Sequence, residues 1–202
     1  MFGEPPDDLP PPAFHLDPDL VDEFVSGRLD HARQAELADQ VAQLLPFHHQ
    51  LPNSITAALL RVTETLGGDE RLMRWLDQYP GRPRVTARVY GVIVCLDSWS
   101  ANPGVVQALA ERRAVELYPD GLAGHLVPDT NSATLANLSA RIEELLGEDR
   151  LDEVVTVALR SLALLAELGA RAATLDPRAI KLADQARALS SSVQPLTRET
   201  RR

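Results

Sequence analysis

Apolar residues recur along most of this chain at intervals of three and four, the spacing that gathers them on one face of an α-helix. Asp17-Pro18 reads as an N-cap followed by proline at the first helical position, and Leu20, Val21, Phe24 and Val25 give that short helix its apolar face before Gly27. Asp30 caps a second helix with Ala32, Leu37, Val41, Leu44 and Leu45, which Pro46 stops. A loop through Phe47-His48-His49 follows. Asn53 or Ser54 is expected to cap a third helix, with Ile55, Leu59, Leu60, Val62 and Leu66, closed by Gly67-Gly68. A short helix over 69–78 carries Leu72, Met73, Trp75 and Leu76, and the turn Tyr79-Pro80-Gly81-Arg82-Pro83 leads to the middle of the chain.

The middle is the most informative stretch. Val85, Val89, Val92, Ile93, Val94, Cys95, Leu96 and Trp99 leave almost no polar interruption. Several of these are β-formers, and a buried strand competes with a helix here. Length favours the helix, since about fifteen residues pass without a turn signal. Gly91 then sits mid-helix at a cost of about 1 kcal/mol against alanine, which close approach of a neighbouring helix would offset. A helix apolar on nearly every side belongs at the centre of a core or in a contact between chains.

Beyond it, Asn102-Pro103 starts a helix with Val105, Val106, Leu109 and Val115, and residues 117–130 read as a loop. Thr130 or Asn131 caps a helix with Leu135, Leu138, Ile142, Leu145 and Leu146 that ends at Gly147. Asp149 is expected to start the longest helix, roughly 150–172, with Val154, Val155, Leu162, Leu165 and Leu168. Asp176-Pro177 repeats the start signal for a last helix with Ile180, Leu182, Ala183, Ala186 and Leu189, decaying at Ser190-Ser191-Ser192. The pattern predicts an all-α, single-domain bundle of about nine helices over 17–193, preceded by a flexible proline-rich arm over 1–16 and followed by a flexible tail over 194–202.

Composition narrows this further. Aromatics are only 4% of the 202 residues, so the core is built from Leu, Val and Ala, which suits helix-on-helix packing. The net charge of -9 disfavours nucleic acid and anionic membrane as partners. Cys95 is the only cysteine, which excludes an intrachain disulfide and a cysteine-rich zinc site. The first thirty residues are acidic and proline-rich rather than a secretory signal, and the apolar runs are short or carry charges. A cytoplasmic protein is the expectation.

Three groups of residues carry candidate chemistry. The acidic turn Glu143, Glu144, Glu148, Asp149, Asp152 and Glu153 resembles the Glu-rich helices with which helical nucleotide pyrophosphohydrolases hold magnesium, although Gly147 interrupts it. Arg82, Arg84 and Arg88, with Arg71 and Arg74 nearby, form a candidate anion site, because guanidinium forks bind phosphate. Asp69, Glu70 and Asp77 lie close enough in sequence to neutralise that group by local ion pairs. His48-His49 lacks the ligand spacing of a zinc site. The stretch Leu20–Leu29 with Ala35-Glu36-Leu37 is similar to the helix pair that opens zinc-binding anti-sigma domains, but those domains also need a CxxC, and this chain has one cysteine.

No nucleophile elbow, phosphate loop or metalloprotease signature occurs. The sequence thus points to a non-enzymatic helical protein that acts through protein contacts, without cofactor, metal or catalytic residues. Its two most apolar helices, centred on Ile93 and Leu162, suggest a homodimer. The rival readings are a metal-dependent phosphohydrolase built on the acidic turn and a receptor for a small apolar ligand.

Overall fold

The computed structural model describes residues 14–101, 131–173, 177 and 179–200. Among them the chain forms helices α1 (Pro18–Val25), α2 (His31–Leu44), a 3-10 turn (Leu45–Gln50), α3 (Asn53–Leu66), α4 (Asp69–Leu76), α5 (Arg82–Ser100), α6 (Asn131–Gly147), α7 (Leu151–Ala172), α8 (Ala179–Val193) and the short α9 (Leu196–Glu199), with no strand. The stretch expected to be an arm before Phe14, the helix expected at 102 onward, the loop at 117–130 and the Asp176 start signal lie outside the described residues. No helix among the described residues is long and apolar enough to cross a membrane.

Local chemistry explains several helix ends. Asp17 Oδ1 accepts the Asp19 N–H at 2.9 Å and Asp30 Oδ1 accepts the Arg33 N–H at 2.9 Å, so both aspartates cap as their sequence context implies. Gly67 is left-handed (φ 78°) and closes α3 with paired bonds, Gly67 N–H to the Glu64 carbonyl at 2.9 Å and Gly68 N–H to the Thr63 carbonyl at 3.0 Å. Two expected caps are corrected. Asn53 already lies inside α3, which begins after Pro52 with no side-chain cap. Asp149 does not start α7. It takes the left-handed conformation (φ 57°) that closes α6, with its N–H on the Leu146 carbonyl at 3.2 Å and the next N–H, of Arg150, on the Leu145 carbonyl at 3.0 Å. Aspartate tolerates this conformation better than most residues, so a glycine two positions earlier is not needed for the turn.

Helix α5 divides the molecule and joins it. Val85, Val89, Val92, Ile93, Cys95 and Leu96 face a core built with α6, α7 and α8, including Leu138, Ile142, Leu145, Leu162 and Leu165. Ala87 and the half-buried Tyr90 of the same helix belong to a second core with α1 to α4, including Leu20, Leu37, Val41, Val62, Leu72 and Leu76. The segment read as helix or buried strand is therefore a helix with neighbours on most sides. Burial raises the Cys95 thiol to about 11, which keeps it neutral and unreactive.

Two further corrections concern the ends. The chain is already packed before Asp17: Leu16 is buried and the Phe14 ring lies 5.5 Å from that of Phe47. After Val193, where a loose tail was expected, Leu196 is buried in the core against α7 and Leu196–Glu199 make one more helical turn. The three serines at 190–192 do not end α8. Ser191 and Ser192 turn their hydroxyls back onto the carbonyls of Arg187 and Leu189 instead.

Helices α7 and α8 pack closely at Gly169. A Cβ on Gly169 would lie 2.6 Å from Ala183 N and 2.9 Å from the Ala179 carbonyl oxygen, both backbone atoms. At Gly91 the nearest atom would be the tip of the Leu189 side chain at 3.0 Å, which can move. Gly169→Ala is therefore expected to lower stability by ~1–2 kcal/mol, overpacking outweighing the gain in helix propensity. Gly91→Ala should be close to neutral. Denaturant midpoints at unchanged slope measure both, and a Gly169→Ala midpoint at or above that of the parent would contradict this crossing.

Candidate functional site

The three arginines of the candidate anion site lie within two turns of α5 but do not converge. Arg88 grips Asp77 with both ends of its fork, Nε at 2.9 Å and Nη2 at 2.6 Å. Arg84 approaches the same carboxylate at 3.8 Å and Glu199 at 3.7 Å. Arg82 turns instead to the end of α6, where Nη2 donates to the Leu146 carbonyl at 2.6 Å and Nη1 to Asp149 Oδ1 at 3.1 Å. It thereby supplies a cation to the C-terminus of α6, the favourable end for positive charge. Asp77 acts as the local counter-ion anticipated from sequence, while Glu70 pairs with Arg74 at 2.6 Å.

The acidic turn is likewise divided among arginines. Arg150 holds Glu148 at 2.8 Å and Glu153 at 2.6 Å, Arg141 holds Glu144, and Arg82 holds Asp149. Among the described residues no group of three or more His, Cys, Asp or Glu side chains is arranged to hold a metal ion.

Glu143 alone of this turn points inward, its side chain only 9% exposed. Its Oε1 lies 3.9 Å from His49 Nδ1 on the 3-10 turn. The neighbouring His48 packs edge-on against Tyr90 of α5 at 5.8 Å, with Nδ1 3.5 Å from the phenol oxygen and 3.1 Å from the Leu45 carbonyl. Burial first, and the negative charge of Asp97 second, push the Glu143 carboxyl up to about 7. Tyr90 is raised to about 12 by burial and by Asp69, Asp97 and Glu143, so its hydroxyl stays protonated. Two groups that looked unrelated in sequence thus meet in one polar cluster. Both had been noted separately, but nothing local in the sequence links a histidine pair to a glutamate 94 positions further on.

Beside this cluster a groove of about 460 Å³ runs between α4, α5 and α8. Met73, Ala87, Gly91, Val94 and Leu189 line it with apolar surface, while Asp69, Glu70, Arg74 and Gln185 bring polar groups to the same groove. Val94 is 46% exposed, whereas Val85, Val89, Val92 and Ile93 of the same helix are buried.

No protein-family model, curated protein or solved structure matches this chain. The reading of the site rests on its own geometry.

The Glu143 environment has a pH consequence. Its folded value of about 7 lies above the ordinary 4.5, so the folded state binds this proton more tightly than the unfolded chain. The stability it contributes is complete below the unfolded value and is lost as pH rises through the folded one. Glu143→Gln is expected to raise the thermal midpoint near about pH 8 and to leave it nearly unchanged near about pH 5, judged by the same linkage. Thermal unfolding of both proteins across this range tests it, and a variant less stable than the parent at the alkaline end would contradict the assignment.

Proposed function

We propose that this chain is a non-enzymatic helical interaction protein, and that the groove between α4, α5 and α8 receives an amphipathic helix from a partner protein. The observation that carries the reading is Val94, exposed on a helix whose other aliphatic residues are buried and lining one groove with Met73, Ala87 and Leu189. An open groove with an apolar floor is the usual receptor for the apolar face of a helix. Among the charged residues that line the groove, Asp69, Glu70 and Asp77 outnumber Arg74 and Arg88, and together with the overall charge of -9 this favours a basic polar face on that helix.

The competing readings have less support. Four of the six carboxylates of the acidic turn are paired with Arg82, Arg141 and Arg150, which leaves little for a phosphohydrolase metal. Ile93 and Leu162, whose apolar surroundings suggested a homodimer, are fully buried within one chain. The charged residues that line the groove suit a peptide with a polar face better than a small apolar ligand.

Binding of labelled amphipathic helical peptides, one with a lysine-rich and one with a glutamate-rich polar face, tests the proposal. Saturable binding of the basic peptide alone is expected, and Val94→Glu should weaken it by about tenfold or more, the equivalent of losing one buried aliphatic contact. Equal affinity for both peptides, or no effect of Val94→Glu, would overturn it. Light scattering on the same samples reports self-association, and a dimer that Val94→Glu dissociates would make a second copy the occupant instead.

A further inference from the structure

We infer that the 3-10 turn Leu45–Gln50 is a pH-sensitive clasp, seated across α5 and α6 while the Glu143 carboxyl keeps its proton and loosened when that proton leaves. The turn touches the two helices through three side chains. His49 faces Glu143 on α6, with Nδ1 3.9 Å from Oε1. Phe47 lies one helical turn further along α6, where a Cβ on Gly147 would stand 3.3 Å from the tip of its ring. His48 meets Tyr90 of α5 edge-on, with ring centroids 5.8 Å apart. Phe47 packs against the core of α1 to α4, whereas α6 belongs to the other core through Ile142, Leu145 and Leu146. The turn is therefore a tie between the two halves that runs beside α5.

The moorings of this tie are slight. Leu45 and Pro46 at its start and Leu51 just after it are buried, but His48, His49 and Gln50 between them are exposed. Their side-chain hydrogen bonds stay mostly within the turn: His48 Nδ1 donates to the Leu45 carbonyl at 3.1 Å, and Gln50 Nε2 to His49 Nε2 at 3.0 Å. Phe47 departs from helical geometry (φ -103°, ψ 17°) and forms a joint between the buried start and the exposed end. Glu143 lies beneath that end. Among the described residues its carboxyl accepts no hydrogen bond, His49 standing beyond hydrogen-bond reach. The groups that face it are Asp97 and Tyr90 from α5 and His48 and His49 from the turn, and no group of α7 acts on it. On its own helix, Arg141 is paired with Glu144. Histidine as a class gives up its charge between about pH 5 and pH 8, so no cation is left to meet a carboxylate formed there. Water is then the remaining source of solvation, and lifting residues 47–50 admits it at less cost than unfolding either helix. The lifted form returns the carboxyl from about 7 toward the ordinary 4.5, so it gains on the closed form as pH rises between these values and no further above them.

Amide hydrogen exchange of the full chain and of Glu143→Gln, compared at equal pH so that intrinsic rates cancel, tests the clasp. At about pH 5 the two proteins should exchange the amides of residues 47–50 at rates within a few-fold of each other. At about pH 8 the parent should exchange them about tenfold faster or more, and well before the amides of α5 and α6. The parent's own series, corrected for intrinsic exchange, should show the same rise and level off above about pH 7, which keeps the test independent of the variant's folding. Equal rates in the turn at the alkaline end, or a difference confined to the slowest core amides, which open only on global unfolding, would overturn the inference.

Discussion

The structure depends on the burial of α5 against two cores at once. Its sequence is a poor helix former, with four valines, an isoleucine, a threonine and a glycine from Val85 to Val94. Intrinsic preference would as readily make a strand of it. What decides is packing: Val89, Val92 and Ile93 are fully buried against α6 and α7, while Ala87, one turn earlier, serves the core of α1 to α4. Each such aliphatic side chain contributes on the order of 1.5–3 kcal/mol when buried, more than the propensity penalty of the residue that carries it. Thr86, fully buried with no partner for its hydroxyl, shows how tightly that face of the helix is enclosed.

The elements legible in the sequence are those set by short-range rules. Asp17 and Asp30 cap where an acceptor is needed two or three residues ahead, and Gly67 occupies a left-handed turn that few other residues enter cheaply. The elements that were misread depend on distant partners. Leu196 holds the C-terminal turn because α7 offers it a buried site, and a stretch of Ser, Gln and Pro before it looks like a tail when that site is unseen. Asp149 has the composition of an N-cap, yet the register of α6 makes it the closing residue, and its carboxylate is drawn to Arg82 from 67 positions away. Gly169 gave no signal at all: only the nearness of Ala179 and Ala183 shows why no side chain fits there.

The same division applies to the candidate sites. Pairing of Asp77 with Arg84 and Arg88 was readable, because all three lie within twelve positions and flank one tight turn. That Arg82 parts from its neighbours was not readable, since helical geometry turns it away from Arg84 and Arg88 and toward the exposed carbonyls of α6. Glu143 and His49 were both visible as residues with chemistry, but their meeting depends on how the 3-10 turn lies across α5 and α6. A desolvated carboxyl emerges from tertiary packing, and no spacing rule in one sequence announces it.

These constraints also limit where function can reside on α5. Two of its faces are used by the cores, which leaves one stripe to solvent, through Arg84, Arg88, Gly91, Val94 and Ser98. The arginines on that stripe are engaged with Asp77, and Gly91 is overlain by Leu189. Val94 is the apolar residue that remains. A partner seated on it touches the one helix common to both cores, so its binding energy is felt by the whole bundle rather than by one half. A surface valine elsewhere, such as Val25 at the end of α1, has no such connection. The position of Val94, more than its exposure, is what supports the proposed docking of a partner in this groove.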